Sequence, residues 1–142
     1  MTQVKSLAHS HVSEYAPNVM KSPTRKPCNE CPMRRKSTPG YTGAATPDEL
    51  VDSMGGHGLF RPANAMPCHT TVDYTDPKWE MSLDAPRTKV RQCAGQAIYL
   101  ANICKRPRPD ETAKVGEPDH VLVFSSRTQF IDHHVPKTSP RR

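Results

Sequence analysis

Apolar positions in this chain keep one sustained rhythm. Val90, Ala94, Ala97, Ala101 and Cys104 recur at steps of four, three, four and three, and Ile98, Leu100 and Ile103 widen the stripe. This spacing predicts an amphipathic helix over 88–105, with Lys105-Arg106 suited to its C-terminal end and Pro107 and Pro109 forbidding continuation. A second helix is predicted from Thr46. Thr46-Pro47-Asp48-Glu49 puts a hydroxyl at the cap, proline at the first helical position and glutamate three residues beyond the cap. Leu50, Val51 and Met54 supply its apolar side, and Gly55-Gly56 stops it. Ser126-Arg127-Thr128-Gln129 forms another capping box and opens a short helix through Phe130 and Ile131 to His134.

His120-Val121-Leu122-Val123-Phe124 is a short apolar run that predicts a strand. Residues 57–67 read as a loop or short extended piece, and residues 71–86, with the single tryptophan Trp79, as another loop. The expected fold is therefore small, irregular α+β: two to three helices and a short strand. Residues 1–24 read as a flexible segment, 25–134 as one domain, and 135–142 as a flexible basic tail.

Composition makes such a fold hard to hold. Of 142 residues 35% are hydrophobic, and the large core pieces are limited to 3 Phe, 1 Trp and 4 Tyr. The 15 prolines are about twice the usual frequency. A core this lean calls for a staple. Structural zinc would be one, being worth roughly 10–16 kcal/mol in small peptides.

The cysteines supply the candidate. Pro27-Cys28-Asn29-Glu30-Cys31-Pro32 holds a close pair, and Cys68 and Cys93 stand alone after intervals of 36 and 24 residues. Four thiolates must converge on one point to bind a metal, and a Cys-x-x-Cys turn aims two of them together. Pro67 stiffens the approach to Cys68. Cys93 falls in the first turns of the predicted main helix, where free amides favour an anionic sulfur. Cys104 lies about 16 Å further along that helix at 1.5 Å per residue, so it cannot share the centre and is read as a core residue. His69 is set aside in favour of Cys68, because neighbours in an extended chain point to opposite faces. The expected ligands are Cys28, Cys31, Cys68 and Cys93.

Two occupants fit this set: one Zn²⁺ ion or one [4Fe–4S] cluster. Zinc is the commoner tetrathiolate occupant, whereas Cys-Pro and widely spaced single cysteines also occur around clusters. A thioredoxin-type redox motif fits poorly, since Ser22 to Pro27 cannot be the buried strand that such a motif follows. No Gly-x-Ser-x-Gly, no His-Glu-x-x-His and no phosphate-binding glycine loop is present, and the deaminase pattern lacks its His-x-Glu half. Asp132-His133-His134 reads as a solvated helix end.

Charge adds a partner class. The balance of 20 Lys and Arg against 14 Asp and Glu leaves +6, which favours polyanions. Arg34, Arg35, Lys36, Arg87, Lys89 and Arg91 are the candidate phosphate contacts of a basic face near the knuckle, with nucleic acid or a nucleic-acid-bound protein complex as partner. Few aromatics lie among them, which argues against a stacking platform for single strands. Met1 to Tyr15 holds no stretch apolar enough for a signal peptide, and no window is long enough to span a bilayer. Five cysteines, an odd number, suit a reducing compartment, so the expected location is the cytoplasm, without membrane attachment.

Pro27, Cys28, Cys31, Pro32 and Arg34, then Cys68, His69 and Thr71, then Cys93, Ala94 and Gly95, together resemble a family of small, uncharacterised proteins from actinobacteria and their phages. Asn102-Ile103 and the stretch from Val123-Phe124 to His133-His134 are also similar, so the resemblance spans roughly 27–134. It implies a metal or cluster site and a phage source, hence a bacterial host cytoplasm. Where the family pattern has an aromatic after Cys31-Pro32, this chain has Met33. The functional expectation is a non-enzymatic binding or regulatory module. An iron–sulfur redox or sensor protein and a small metalloenzyme are the alternatives.

Overall fold

Four short helices and almost no strand make up the described residues of the protein. A computed structural model describes residues 20, 22–58, 61–83 and 88–136. The helices are α1 (Pro47–Gly55), α2 (Trp79–Ser82), α3 (Ala94–Asn102) and α4 (Arg127–His134), with a 3-10 turn at His69–Thr71. The expectations of flexible ends over 1–24 and 135–142 fall outside the described residues, apart from 20, 22–24, 135 and 136.

Helix α1 begins as its sequence dictates. The Thr46 hydroxyl accepts from the Glu49 amide, and the Glu49 carboxylate accepts from the Thr46 amide at 3.1 Å. Gly56 ends it at φ 64°, a left-handed conformation that glycine adopts without steric cost. Leu50, Val51 and Met54 turn inward, and α1 packs on both α3 and α4. Arg127 at the start of α4 grips Asp52 of α1 at 2.6 Å.

Helix α3 is shorter than the apolar rhythm predicts. Residues 88–92 are extended because their backbone groups find partners elsewhere: the Arg91 carbonyl accepts from the Cys68 amide, and the Arg91 amide donates to the Thr71 hydroxyl. At the other end, Cys104 sits at φ 59°, with its amide on the Ala101 carbonyl and the Lys105 amide on the Leu100 carbonyl. That is a Schellman closure with cysteine where glycine is usual. Cys104 is exposed, so the expectation of a core residue is overturned. The stripe carried it past the point where the helix turns over.

The expected strand at 120–124 does not form. The Asp119 carboxylate accepts from the amides of Val121 and Leu122, curling the chain into a turn in competition with any ladder. Val121 is 87% exposed. Only Val123 pairs, as an isolated antiparallel bridge to Arg34. Asn102, at the end of α3, holds this turn in place. Its amide nitrogen donates to the carbonyls of Asp119, Val123 and Phe124, and its oxygen accepts from the Asp119 amide.

Met33, Val51, Tyr99, Val123 and Phe130 are fully enclosed, and Cys31 and Cys93 belong to the same core cluster. Met33 packs in the core with none of its surface exposed. Among the described residues, no helix is long and apolar enough to cross a membrane.

Candidate metal centre

Three segments deliver the four predicted thiols to one cavity of about 400 Å³. Each arrives by a local mechanism. In the knuckle, the Cys31 amide donates to the Cys28 carbonyl and the Arg34 amide to the Cys31 carbonyl, so two successive turns curl 28–34 back on itself. Cys68 and Cys93 are brought side by side by a single antiparallel bridge between Pro67 and Gln92. The Cys68 amide donates to Arg91 and the Cys93 amide to Met66, both at 2.7 Å. Pro67 occupies the non-hydrogen-bonded position of that bridge, where its missing N–H leaves no acceptor unpaired.

Buried amides lock this bridge from behind. The Gln96 oxygen accepts from the Met66 amide, and its nitrogen donates to Met54 and Asn64. Gln92 pairs both ways with the backbone of Lys114. Both glutamines are almost wholly enclosed, so these bonds are made without competition from water.

The sulfurs are close but unequally so. Cys31 and Cys93 are 3.4 Å apart across 62 residues. Cys68 meets the Thr70 hydroxyl at 3.0 Å, and Cys28 lies 3.9 Å from Nδ1 of His69. Among the described residues, no group of three or more His, Cys, Asp or Glu side chains is gathered tightly enough to hold a single ion. A four-cysteine centre already closed on one point is therefore not what the fold presents. It presents four thiols around a space.

Their chemistry reflects that crowding. The hydrogen bond from Cys31 to Cys93 raises the Cys31 thiol well above its ordinary value, and burial adds to the effect. The same bond lowers Cys93, against the opposing effect of burial, and the amides of Gln96 and Gly95 at the start of α3 assist. Burial also raises Cys28, with the charges of Cys68 and Cys93 contributing. Ionised together, these thiolates would repel one another in a poorly solvated site, and a bound cation removes that repulsion.

Gly95 makes the approach possible. A β-carbon there would collide with the Cys31 sulfur, and it would stand 2.9 Å from the Met33 side chain. The knuckle can lie against the start of α3 only because position 95 has no side chain.

His69 belongs to the site, contrary to the expectation that only one of Cys68 and His69 would face it. The chain turns into a 3-10 helix at His69, which replaces the alternation of an extended segment. His69 reaches Cys28 with one ring nitrogen and Glu30 with the other, at 3.1 Å. Tyr41 and Tyr74, each about half exposed, line the cavity where it meets solvent. Neither tyrosine carries a sequence signal, since both lie in loops without period.

His133 and His134 are structural, not solvated. His134 is 2% exposed. Its Nδ1 accepts from the Gly40 amide at 3.0 Å, so its Nε2 carries the proton and donates to the Pro32 carbonyl at 2.8 Å. His133 meets the Ser37 carbonyl at 2.7 Å. Phe130 and His134, four residues apart on α4, share its buried face, a spacing visible in the sequence.

Two of the six candidate phosphate contacts are engaged inside the fold. Arg34 donates to the Asn29 side chain at 3.1 Å and reaches the Cys28 carbonyl. Arg35 donates to the His120 carbonyl and the Ser125 hydroxyl, over the Phe124 ring. Lys36 and Lys89 are exposed and Arg91 is half-buried, while Arg87 lies outside the described residues. No family model matches the chain, nor does any curated protein or solved structure.

Proposed function

We propose that this protein is a non-enzymatic metal-binding module whose single Zn²⁺ ion is held by Cys28, Cys31, Cys68 and Cys93, with a [4Fe–4S] cluster as the second reading. One observation carries the reading: four thiols from three remote segments line one cavity of about 400 Å³. A lone zinc ion needs four sulfurs about 2.3 Å from a common centre. The 3.4 Å contact of Cys31 and Cys93 is close to the spacing of two thiolates on one such ion, whereas the thiolates of a cubane cluster sit on separate irons and stand further apart. The resemblance to the actinobacterial and phage family rests on the same three cysteine stretches and belongs to this proposal.

Purification without air, followed by iron, acid-labile sulfide and zinc analysis, tests it. The expected result is a colourless protein with one zinc ion per chain. A coloured protein with iron and sulfide in equal amounts would keep the four ligands and put a cluster in place of zinc. Protein that takes up neither, even after anaerobic reconstitution with iron and sulfide, overturns the proposal.

A further inference from the structure

The two thiols in contact are not the two that the Cys-x-x-Cys motif would pair. Cys31 meets Cys93, 62 residues away, at 3.4 Å. Its motif partner Cys28 faces the His69 ring, and Cys68 is hydrogen-bonded to Thr70. We propose that Cys31 and Cys93 form a reversible disulfide with peroxide as oxidant, and that this bond switches the metal centre off by removing two of its four ligands. As regulation of the centre, the switch rests on the reading above. The bond itself rests only on the two sulfurs.

The geometry favours this bond on three counts. From 3.4 Å, the sulfurs need approach by only about 1.4 Å to reach an S–S length of roughly 2.05 Å. Each sulfur is held by a separate element, Cys31 by the knuckle and Cys93 by the start of α3, so the approach needs no unwinding of either. Gly95 leaves the Cys31 sulfur free of any side chain on that side. Access selects the oxidant. Cys31 is 2% and Cys93 7% exposed, yet both line the cavity. A cavity of about 400 Å³ admits a molecule the size of hydrogen peroxide.

The step balances. The first sulfur attacks a peroxide oxygen: an S–O bond forms, the O–O bond breaks, and the departing hydroxide becomes water with a proton from the free thiol or, where the sulfur is a metal-bound thiolate, from solvent. The second sulfur attacks the resulting sulfenic sulfur: S–S forms, S–O breaks, and the second hydroxide leaves as water with a proton from the same source. The two sulfurs together lose two electrons, and peroxide is reduced to two waters.

The test uses the full chain carrying Cys104→Ser, which removes the exposed thiol. Anaerobically purified protein is titrated with hydrogen peroxide, alkylated, and digested without reduction. Cleavage after Glu30 separates Cys28 from Cys31, so mass spectrometry assigns the link. The expected product joins the Cys31 and Cys93 peptides, disappears with dithiothreitol, and accumulates in step with metal release. A dominant Cys28–Cys31 link, or oxidation to sulfinic acid without a link, overturns the inference. Metal release without the Cys31–Cys93 link also overturns it and leaves the metal-site proposal standing. The link forming while the metal stays bound supports the bond but overturns the switch. A Cys28→Ala, Cys68→Ala variant, checked for native helicity, must still form the link; its absence there overturns the bond.

Discussion

His134 donates from Nε2 to the carbonyl of Pro32, 102 residues earlier in the chain, at 2.8 Å. The bond ties the last helix to the residue that follows Cys31, so the C-terminal end of the domain fixes the shape of the cysteine knuckle. With the Gly40 amide on its other nitrogen, the ring is held neutral in one tautomer.

Acid should loosen this tie. Burial holds His134 below its ordinary value, and the same cause acts on His57. The unfolded chain takes up these protons near pH 6.5, the native protein only at lower pH. Stability contributed by the neutral rings is therefore complete above about pH 6.5 and falls as pH drops through that window. Urea titrations between pH 7 and 5 should show the decline, with a shallower slope in His134→Asn that His57 keeps from vanishing.

Gly95→Ala should destabilise the protein although alanine is the better helix former by about 1 kcal/mol. The new methyl meets the Cys31 sulfur and the Met33 side chain. A net loss of about 1–3 kcal/mol is expected from overpacking, together with weaker metal retention. Chemical denaturation and metal analysis of the same variant check both, and an unchanged midpoint would contradict the geometry.

Cys104→Gly should do the opposite. Position 104 is left-handed at φ 59° and its side chain is exposed. Glycine there should raise stability by about 1 kcal/mol and leave metal content untouched. Serine at Cys28, Cys31, Cys68 or Cys93 should each lower metal content severely. Parallel metal analysis of the five variants separates the ligand set from the spare thiol.

Asn102→Ala removes four backbone bonds at once. Leaving those buried groups unpaired should cost about 2–4 kcal/mol. The damage should be local to the 119–124 turn, which hydrogen exchange at the Val123 and Phe124 amides can detect.

The basic residues divide by the same logic. Arg35→Ala should lower stability by about 1–2 kcal/mol through its bonds to His120 and Ser125. Lys36→Ala with Lys89→Ala should leave stability within about 0.5 kcal/mol. If the chain contacts nucleic acid, only the lysine pair tests that contact cleanly: its loss should reduce the salt slope of binding without altering the melting curve.

Local chemistry alone determined much of this protein. Thr46-Pro47-Asp48-Glu49 and the glycines after it set α1 to the residue, and Ser126 opens α4, because caps act over three or four residues and need no distant partner. The four cysteines were recognisable as a set from their spacing and their proline neighbours. Tertiary structure decided the rest. Residues 88–92 left the predicted helix because the Cys68 segment offers their backbone another partner. Residues 120–124 failed as a strand because the Asp119 carboxylate takes the amides of Val121 and Leu122, leaving a single bridge from Val123 to Arg34. His134, Asn102 and Gln96 became the struts of the site through bonds to carbonyls and amides remote in sequence. Which sulfur touches which depends on the missing side chain at Gly95, a matter of three-dimensional clearance that no spacing along the chain records.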